Sequence, residues 1–304
     1  MQELVIKTGG LLLIAALGFA LKRAGVFRQQ DAKLLSRIII YLTLPGALIG
    51  SFASFSFEVK LVSVILTAVA ANCLLLAAAT VVSRGRDNAT RALYMLNTPS
   101  YNIGTFVLPL VQSLLPPSSL LAVSMFDAGN NPVNSGGAYA VTTAVLNGER
   151  IRLGPIVKRM LHSVPFDTFL VLIVTGVVGL RFPAPVYSIA AMFGQANSFL
   201  AMLMIGIMFE IRVDRADLGD ALRIIGMRYG FGLCAAALCG WLLPAAPQVR
   251  MVTALAMLAP VPSVTLAYCE KCGCKPSLVG LIHSLCIPIS LGLTFGVLCW
   301  WQAA

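Results

Sequence analysis

Ten apolar runs of about 20 residues follow one another along the chain, near 4–22, 34–53, 60–82, 91–114, 118–146, 164–181, 186–210, 221–243, 249–270 and 276–300. A run of that length is what an α-helix needs to cross a hydrocarbon core about 30 Å thick. The pattern predicts an all-α membrane protein with ten transmembrane helices. No polar stretch between the runs is long enough for a separate soluble domain. The first run, "LVIKTGGLLLIAALGFALKR", is long for a signal-peptide core and has no clear small-residue cleavage site, so it reads as a retained span.

The runs divide into two sets of five, 1–152 and 153–304, joined by the short basic link "NGERIRLGPIVKRMLHS". Five is odd, so the second set enters the membrane from the opposite side, which is the arithmetic of an inverted repeat. The fourth run of each set is interrupted. "NTPSYNIGTFVLP" carries Asn97, Pro99, Ser100, Asn102 and Pro109, and "APVPSVT" carries Pro260, Pro262, Ser263 and Thr265. Pro99 and Pro260 stand 161 positions apart, close to half the chain. Proline removes a backbone donor and clashes with the preceding turn. Backbone groups left unpaired at membrane depth are tolerated only inside protein or along a wet cavity. The matched breaks either kink two packed helices or open a binding site between them. If they cross, two half-helix N-termini converge, and the polar side chains beside them suit a small anion. Asn102 and Ser263 are capping types near the starts of those second half-helices.

Composition strengthens the membrane assignment: 58% of residues are hydrophobic, 11% are charged, and mean hydropathy is +0.87. The net charge of +10 would suit nucleic acid, but its distribution argues against that partner. With the N-terminus outside, 18 of the 22 basic residues, Arg223 and Arg228 among them, fall at cytoplasmic connections or nearby span ends. Lys7, Lys60, Arg181 and Arg250 fall on the other side. The positive-inside rule then predicts both termini on the extracytoplasmic side of the cell's inner (plasma) membrane, with membrane lipid as the surrounding partner.

Few polar residues lie within the runs. Asp127 is the one carboxylate deep in a span, at a cost of roughly 2.5–3.5 kcal/mol or more if ionised. It reads as a proton carrier or cation ligand together with Asn130 and Asn131, or else as a brace for those two amides. His283 reads as a packed histidine or a titrating one. Gln195 and Asn197 face either a cavity or a partner subunit. Glu210, Arg212, Asp214, Arg215, Asp217 and Asp220 read as a solvated mixed-charge loop. The eight cysteines imply no disulfide framework. "CEKCGC" (Cys269, Cys272, Cys274) has spacing for a soft metal but no fourth ligand nearby, so a reduced loop is the simpler reading.

The residues at the breaks carry a resemblance. "NIGTFVLP", with Asn102 and Pro109, is similar to the fourth-span motif of the auxin efflux carrier family. "LSRIIIYLTLPGALIGSFA" resembles that family's second span, a Leu/Tyr-rich run ending in a proline, here Pro45. Pro260, followed ten residues later by Glu270 and Lys271, falls on its crossover proline. Val107, Ile103 and Val264 depart from the family pattern. The resemblance implies a scaffold of spans one, two, six and seven (1–55 and 164–212). It also implies a mobile transport unit (60–146 and 221–300), elevator-type alternating access and a homodimer through the scaffold. Related folds occur in bile acid symporters and sodium/proton antiporters.

The expected function is secondary transport of small organic anions, carboxylates of the auxin kind included, in the direction of efflux. No cofactor is expected beyond a coupling proton or sodium ion. The rivals are sodium-coupled uptake and a membrane receptor that does not transport. Enzyme motifs such as HExxH and GxSxG are absent, as is any nucleotide-binding motif.

Overall fold

The computed structural model describes residues 2–52, 59–209 and 218–303, and the regular structure of these residues is entirely helical. Six helices are long and apolar enough to cross a membrane: Val5–Arg23, Asp31–Ser51, Val62–Val82, Ala184–Met208, Leu218–Leu242 and Pro276–Trp301. A seventh candidate is the pair Leu153–Met160 and Val164–Val178, bent by 75°.

In chain order the elements are α1 (Gln2–Arg23), α2 (Asp31–Ile38), α3 (Leu44–Ser51), α4 (Val62–Val82), α5 (Asn88–Asn97), α6 (Leu108–Leu114), α7 (Ser119–Pro132) and α8 (Ala138–Asn147). They continue with α9 (Leu153–Met160), α10 (Val164–Val178), α11 (Ala184–Gln195), α12 (Asn197–Met208), α13 (Leu218–Leu242), α14 (Pro247–Met257), α15 (Val264–Lys271) and α16 (Pro276–Ala303). The fourth, fifth and ninth expected spans are therefore not single rods. α5 and α6 are separated by residues 98–102 and a wide π turn, Ile103–Val107. α7 and α8 meet at a second π turn, where Gly136 takes φ 117°, a value an L side chain rarely adopts. α14 and α15 are separated by residues 258–263.

Lipid gives no hydrophobic drive between helices, so close backbone approach through small residues does the packing. α1 crosses α12 where a Cβ on Gly18 would sit 2.4 Å from the Leu203 carbonyl, and one on Gly206 would sit 1.9 Å from that of Ala15. α3 crosses α11 in the same way through Gly46 and Gly194. α10 also packs on α3, so α1, α2, α3, α10, α11 and α12 form one packed group. α4 packs on α7, α14 on α7 and α13, and α5 on α8 and α15, making a second group that holds both breaks.

Asn197 lies between the two groups, completely buried. It accepts from the Thr43 hydroxyl at 2.9 Å and donates to Gln112 of α6 at 2.9 Å, and Gln112 in turn donates to the Gly194 carbonyl. It therefore faces neither of the two surroundings expected for it. The charged loop expected at 210–217 lies outside the described residues. Of that set, Asp220 is described, and it pairs with Arg86 and accepts from the Tyr94 hydroxyl at 2.8 Å.

Candidate functional site

The two breaks touch. The Asn102 backbone N–H donates to the Pro260 carbonyl at 3.0 Å. α5 enters the crossing with Asp87 as its N-cap, the carboxylate accepting from the Thr90 N–H at 3.0 Å. The Thr90 hydroxyl first, and this backbone N–H second, hold the Asp87 carboxyl below its ordinary value. The helix stops at Asn97 because Pro99 cannot continue the ladder. α14 stops at Met257 for the corresponding reason, with Pro260 and Pro262 ahead of it.

Side chains from other helices then take up the freed backbone groups. Ser100 stands at φ 70°, the one non-glycine residue at positive φ among the described residues, which costs of order 1–3 kcal/mol. Its N–H donates to Asn72 Oδ1 of α4 at 2.6 Å, and its hydroxyl donates to Asn134 at 3.3 Å. Asn130 of α7 accepts from the Tyr101 N–H at 3.0 Å and donates to the Tyr101 carbonyl at 2.9 Å, so one side chain serves both groups of one residue. The same Nδ2 donates to Asp127 at 3.2 Å. On the other break, the Thr265 hydroxyl donates to the Pro262 carbonyl at 2.7 Å. His283 Nε2 lies 3.0 Å from that hydroxyl. Since the hydroxyl proton is committed to Pro262, Nε2 is the donor in this second bond.

Arg228 of α13 joins the two breaks. It is completely buried. Nη1 donates to the Thr98 carbonyl at 2.8 Å and to that of Pro99 at 3.4 Å. Nη2 donates to the carbonyls of Ala259 at 2.8 Å and Pro260 at 3.0 Å, and Nε to that of Ala259 at 3.3 Å. Its guanidinium carbon stands 4.9 Å from the centre of the Tyr101 ring. The sequence count places Arg228 with the basic residues near the cytoplasmic span ends. That placement is corrected here: the residue lies between two helix breaks, where it satisfies their carbonyls.

Three neighbouring cavities open beside the crossing, and Ser263 lines all of them. The first, about 380 Å³, has an apolar wall that includes Phe106, Met204 and Leu266, and polar points at Asn102, Ser263 and His283. The second, about 1000 Å³, is a wide mouth with Arg28, Lys33, Arg37 and Glu270 on its walls. The third, about 160 Å³, holds Asn102, Thr105, Asp127, Asn131, Asn134 and Pro262.

The sequence-predicted residues divide accordingly. Asn102, Ser263, Pro260 and Pro262 line cavity wall, and so do Asp127 and Asn131. Thr265 is buried and lines none of these cavities, but it bonds His283, which lines the first. Asn97 does not reach it: it is buried, donating to the Leu93 carbonyl at 2.8 Å and to Cys269 Sγ at 3.2 Å. Pro99, Ser100 and Asn130 are buried within the crossing itself. Neither Asn102 nor Ser263 caps its half-helix through its side chain; Asn102 Oδ1 accepts from the Thr105 hydroxyl at 2.7 Å instead. Sequence reasoning missed Asn72 and Arg228. An asparagine alone in the apolar run "ILTAVAANCLLLAAAT" was a usable signal, because polar groups inside spans are expensive. For Arg228 the signal was its place seven residues past the start of the run 221–243 rather than at its end.

The cysteine trio closes α15. Gly273, at φ 69°, lets the Cys274 N–H reach back to the Cys269 carbonyl at 2.9 Å, a Schellman closure. Burial pushes the Cys272 thiol up to about 11, and the bond to Cys269 with burial pushes that of Cys274 up further. No group of three or more ligating side chains with metal-site geometry occurs among the described residues.

Taken together, the long apolar helices and a polar crossing buried among them define a multi-pass membrane protein. Residues 5–150 match the family model described as membrane transport protein, so that half of the chain, which includes the first break, carries a transporter's signature. No curated protein matches the chain.

Proposed function

We propose that this protein is a secondary carrier of small organic anions, with the substrate's carboxylate held at Asn102 and Ser263 and its apolar body against Phe106, Met204 and Leu266. The observation that carries this reading is the meeting of two broken helices at the wall of a half-apolar cavity whose mouth bears Arg28, Lys33 and Arg37. Broken helices at membrane depth expose the polar backbone ends that hold substrates in secondary transporters, and a basic mouth raises the local concentration of anions. The transporter match and the resemblance to auxin efflux carriers point the same way. Within this reading the chain forms two inverted repeats of five spans, 1–152 and 153–304. The group around α1, α3, α11 and α12 is the scaffold and the homodimer contact, and the group that holds both breaks is the part that moves. Efflux across the inner membrane, with both termini outside, completes the proposal.

The test is flux in proteoliposomes with labelled acetate, malonate, succinate, benzoate, phenylacetate and indole-3-acetate, under separately imposed pH and sodium gradients. Saturable uptake of at least one carboxylate is expected. Asn102→Ala should weaken its binding about tenfold to a hundredfold, the worth of a hydrogen bond to a charged group. Asn102→Asp should weaken it further by placing like charges together. No flux of any panel member, or unchanged affinity in both variants, would sink the assignment.

A further inference from the structure

Four half-helix ends meet at the crossing. α5 and α14 arrive with their C-terminal carbonyls, and the Ile103–Leu114 segment and α15 leave with their N-terminal amides. Helix ends carry about half a charge each, negative at the C-terminus and positive at the N-terminus. Two of each nearly cancel, so the helix ends alone give the crossing no preference for an anion over a cation. Exposed carbonyls of this kind are also the ligands from which unwound helices build sodium sites.

Arg228 changes both points. Its guanidinium occupies the carbonyls of Thr98, Pro99, Ala259 and Pro260. It keeps its charge, since arginine does not deprotonate in proteins. No carboxylate among the described residues forms an ion pair with it. The Asp127 carboxylate reaches the crossing only through Asn130, so the guanidinium stands there with no direct counter-charge. It acts close to the cavity wall, because the Pro260 oxygen that takes Nη2 also takes the Asn102 N–H, each at 3.0 Å.

We propose that Arg228 is the specificity-determining charge of the substrate site. It clamps the two breaks together, fills the carbonyl positions a metal cation would use, and gives the neighbouring cavity its preference for anions. This rests on the carrier reading above and deepens it. Arg228 does not touch the substrate; it acts through the Pro260 carbonyl and the Asn102 backbone.

The experiment measures binding to purified wild-type protein by calorimetry, with the six panel carboxylates and the primary amide of each as its neutral counterpart. Thermal melting of the same samples is recorded alongside. The wild type is expected to prefer a carboxylate to its amide. Arg228→Gln should weaken carboxylate binding about tenfold or more and amide binding less than threefold, because a fixed charge at this range in a poorly screened site acts on the charged ligand alone. Arg228→Lys keeps the charge with fewer bonds, so it should melt lower yet retain the carboxylate preference within about threefold. Equal loss of carboxylate and amide binding in Arg228→Gln, or an unchanged preference, overturns the proposal and leaves the carrier reading standing. A wild type that binds none of the six carboxylates overturns both. If Arg228→Gln does not fold, Arg228→Lys decides: a carboxylate preference lost although the charge is present assigns Arg228 a structural role only.

Discussion

The first break, residues 98–102, and the second, residues 258–263, solve the same problem with different chemistry. At the first there is one proline, so the N–H groups of Ser100, Tyr101 and Asn102 all need acceptors. Asn72 and Asn130, reaching in from α4 and α7, supply two of these and the Pro260 carbonyl supplies the third. At the second, Pro260 and Pro262 carry no N–H, and the need shifts to carbonyls. Arg228 and Thr265 meet it as donors. Each break also has a titratable group one hydrogen bond behind it: Asp127 through Asn130, and His283 through Thr265. A break rich in amides calls for acceptors and a break rich in prolines calls for donors. That difference explains why asparagines gather around the first and the Thr265 hydroxyl serves the second, while Arg228 donates to carbonyls of both.

The largest expected effect tests whether those two backing groups are equivalent. Asp127 lines the cavity with Asn131 and Asn134. Asp127→Asn, which keeps a side chain able to bond Asn130, should reduce stimulation of flux by an imposed pH or sodium gradient at least tenfold while changing substrate affinity less than threefold. His283→Gln should leave gradient stimulation in place. If Asp127→Asn retains normal gradient-driven flux, the carboxylate is a brace for Asn130 and the comparison loses its functional half.

Next in size is the bracing itself. Asn130→Ala strips partners from both the N–H and the carbonyl of Tyr101. Each buried group left unsatisfied costs about 1–3 kcal/mol, so a loss of about 4 kcal/mol is expected. Thermal unfolding in detergent, read from the quenching of tryptophan fluorescence, checks it, and a change below about 1 kcal/mol would mean that water replaces the amide. Thr265→Val should cost less, about 2 kcal/mol, since the Pro262 carbonyl keeps the backbone N–H of residue 265 and only one imidazole N–H loses its partner. A cost equal to that of Asn130→Ala would erase the asymmetry drawn between the breaks.

The smallest effect concerns how each leading half-helix begins. α5 has the Asp87 cap, whereas α14 starts at Pro247 with no side-chain cap. Asp87→Ala should lower stability by about 1 kcal/mol, while Ala246→Asp, which supplies a capping side chain, should raise it by a similar amount. Melting temperatures of the two variants against wild type decide it; a shift in the same direction for both would show that capping is not what separates the two half-helices.

Much of this molecule can be read from local rules. Run lengths mark the apolar helices, and Pro99, Pro260 and Pro262 stop the helix wherever they occur, so the breaks and their matched positions are visible in the chain. Asp127, alone among apolar residues, identifies itself in the same way. Those features depend on a residue and its immediate neighbours, and no tertiary contact is needed to enforce them. What the tertiary structure decided is which side chains meet the opened backbone. Asn72 reaches Ser100 across 28 positions, and Arg228 reaches Thr98 across 130. Such pairings depend on how whole helices are placed, and neither periodicity nor propensity encodes that placement. Asn97, polar and beside the proline, has the composition of a site residue, yet the packing of α5 on α15 turns it toward Cys269 and away from the cavity. Arg228 has the composition of a rim residue, yet α13 carries it to the carbonyls of Thr98, Pro99, Ala259 and Pro260, which together hold a buried positive charge.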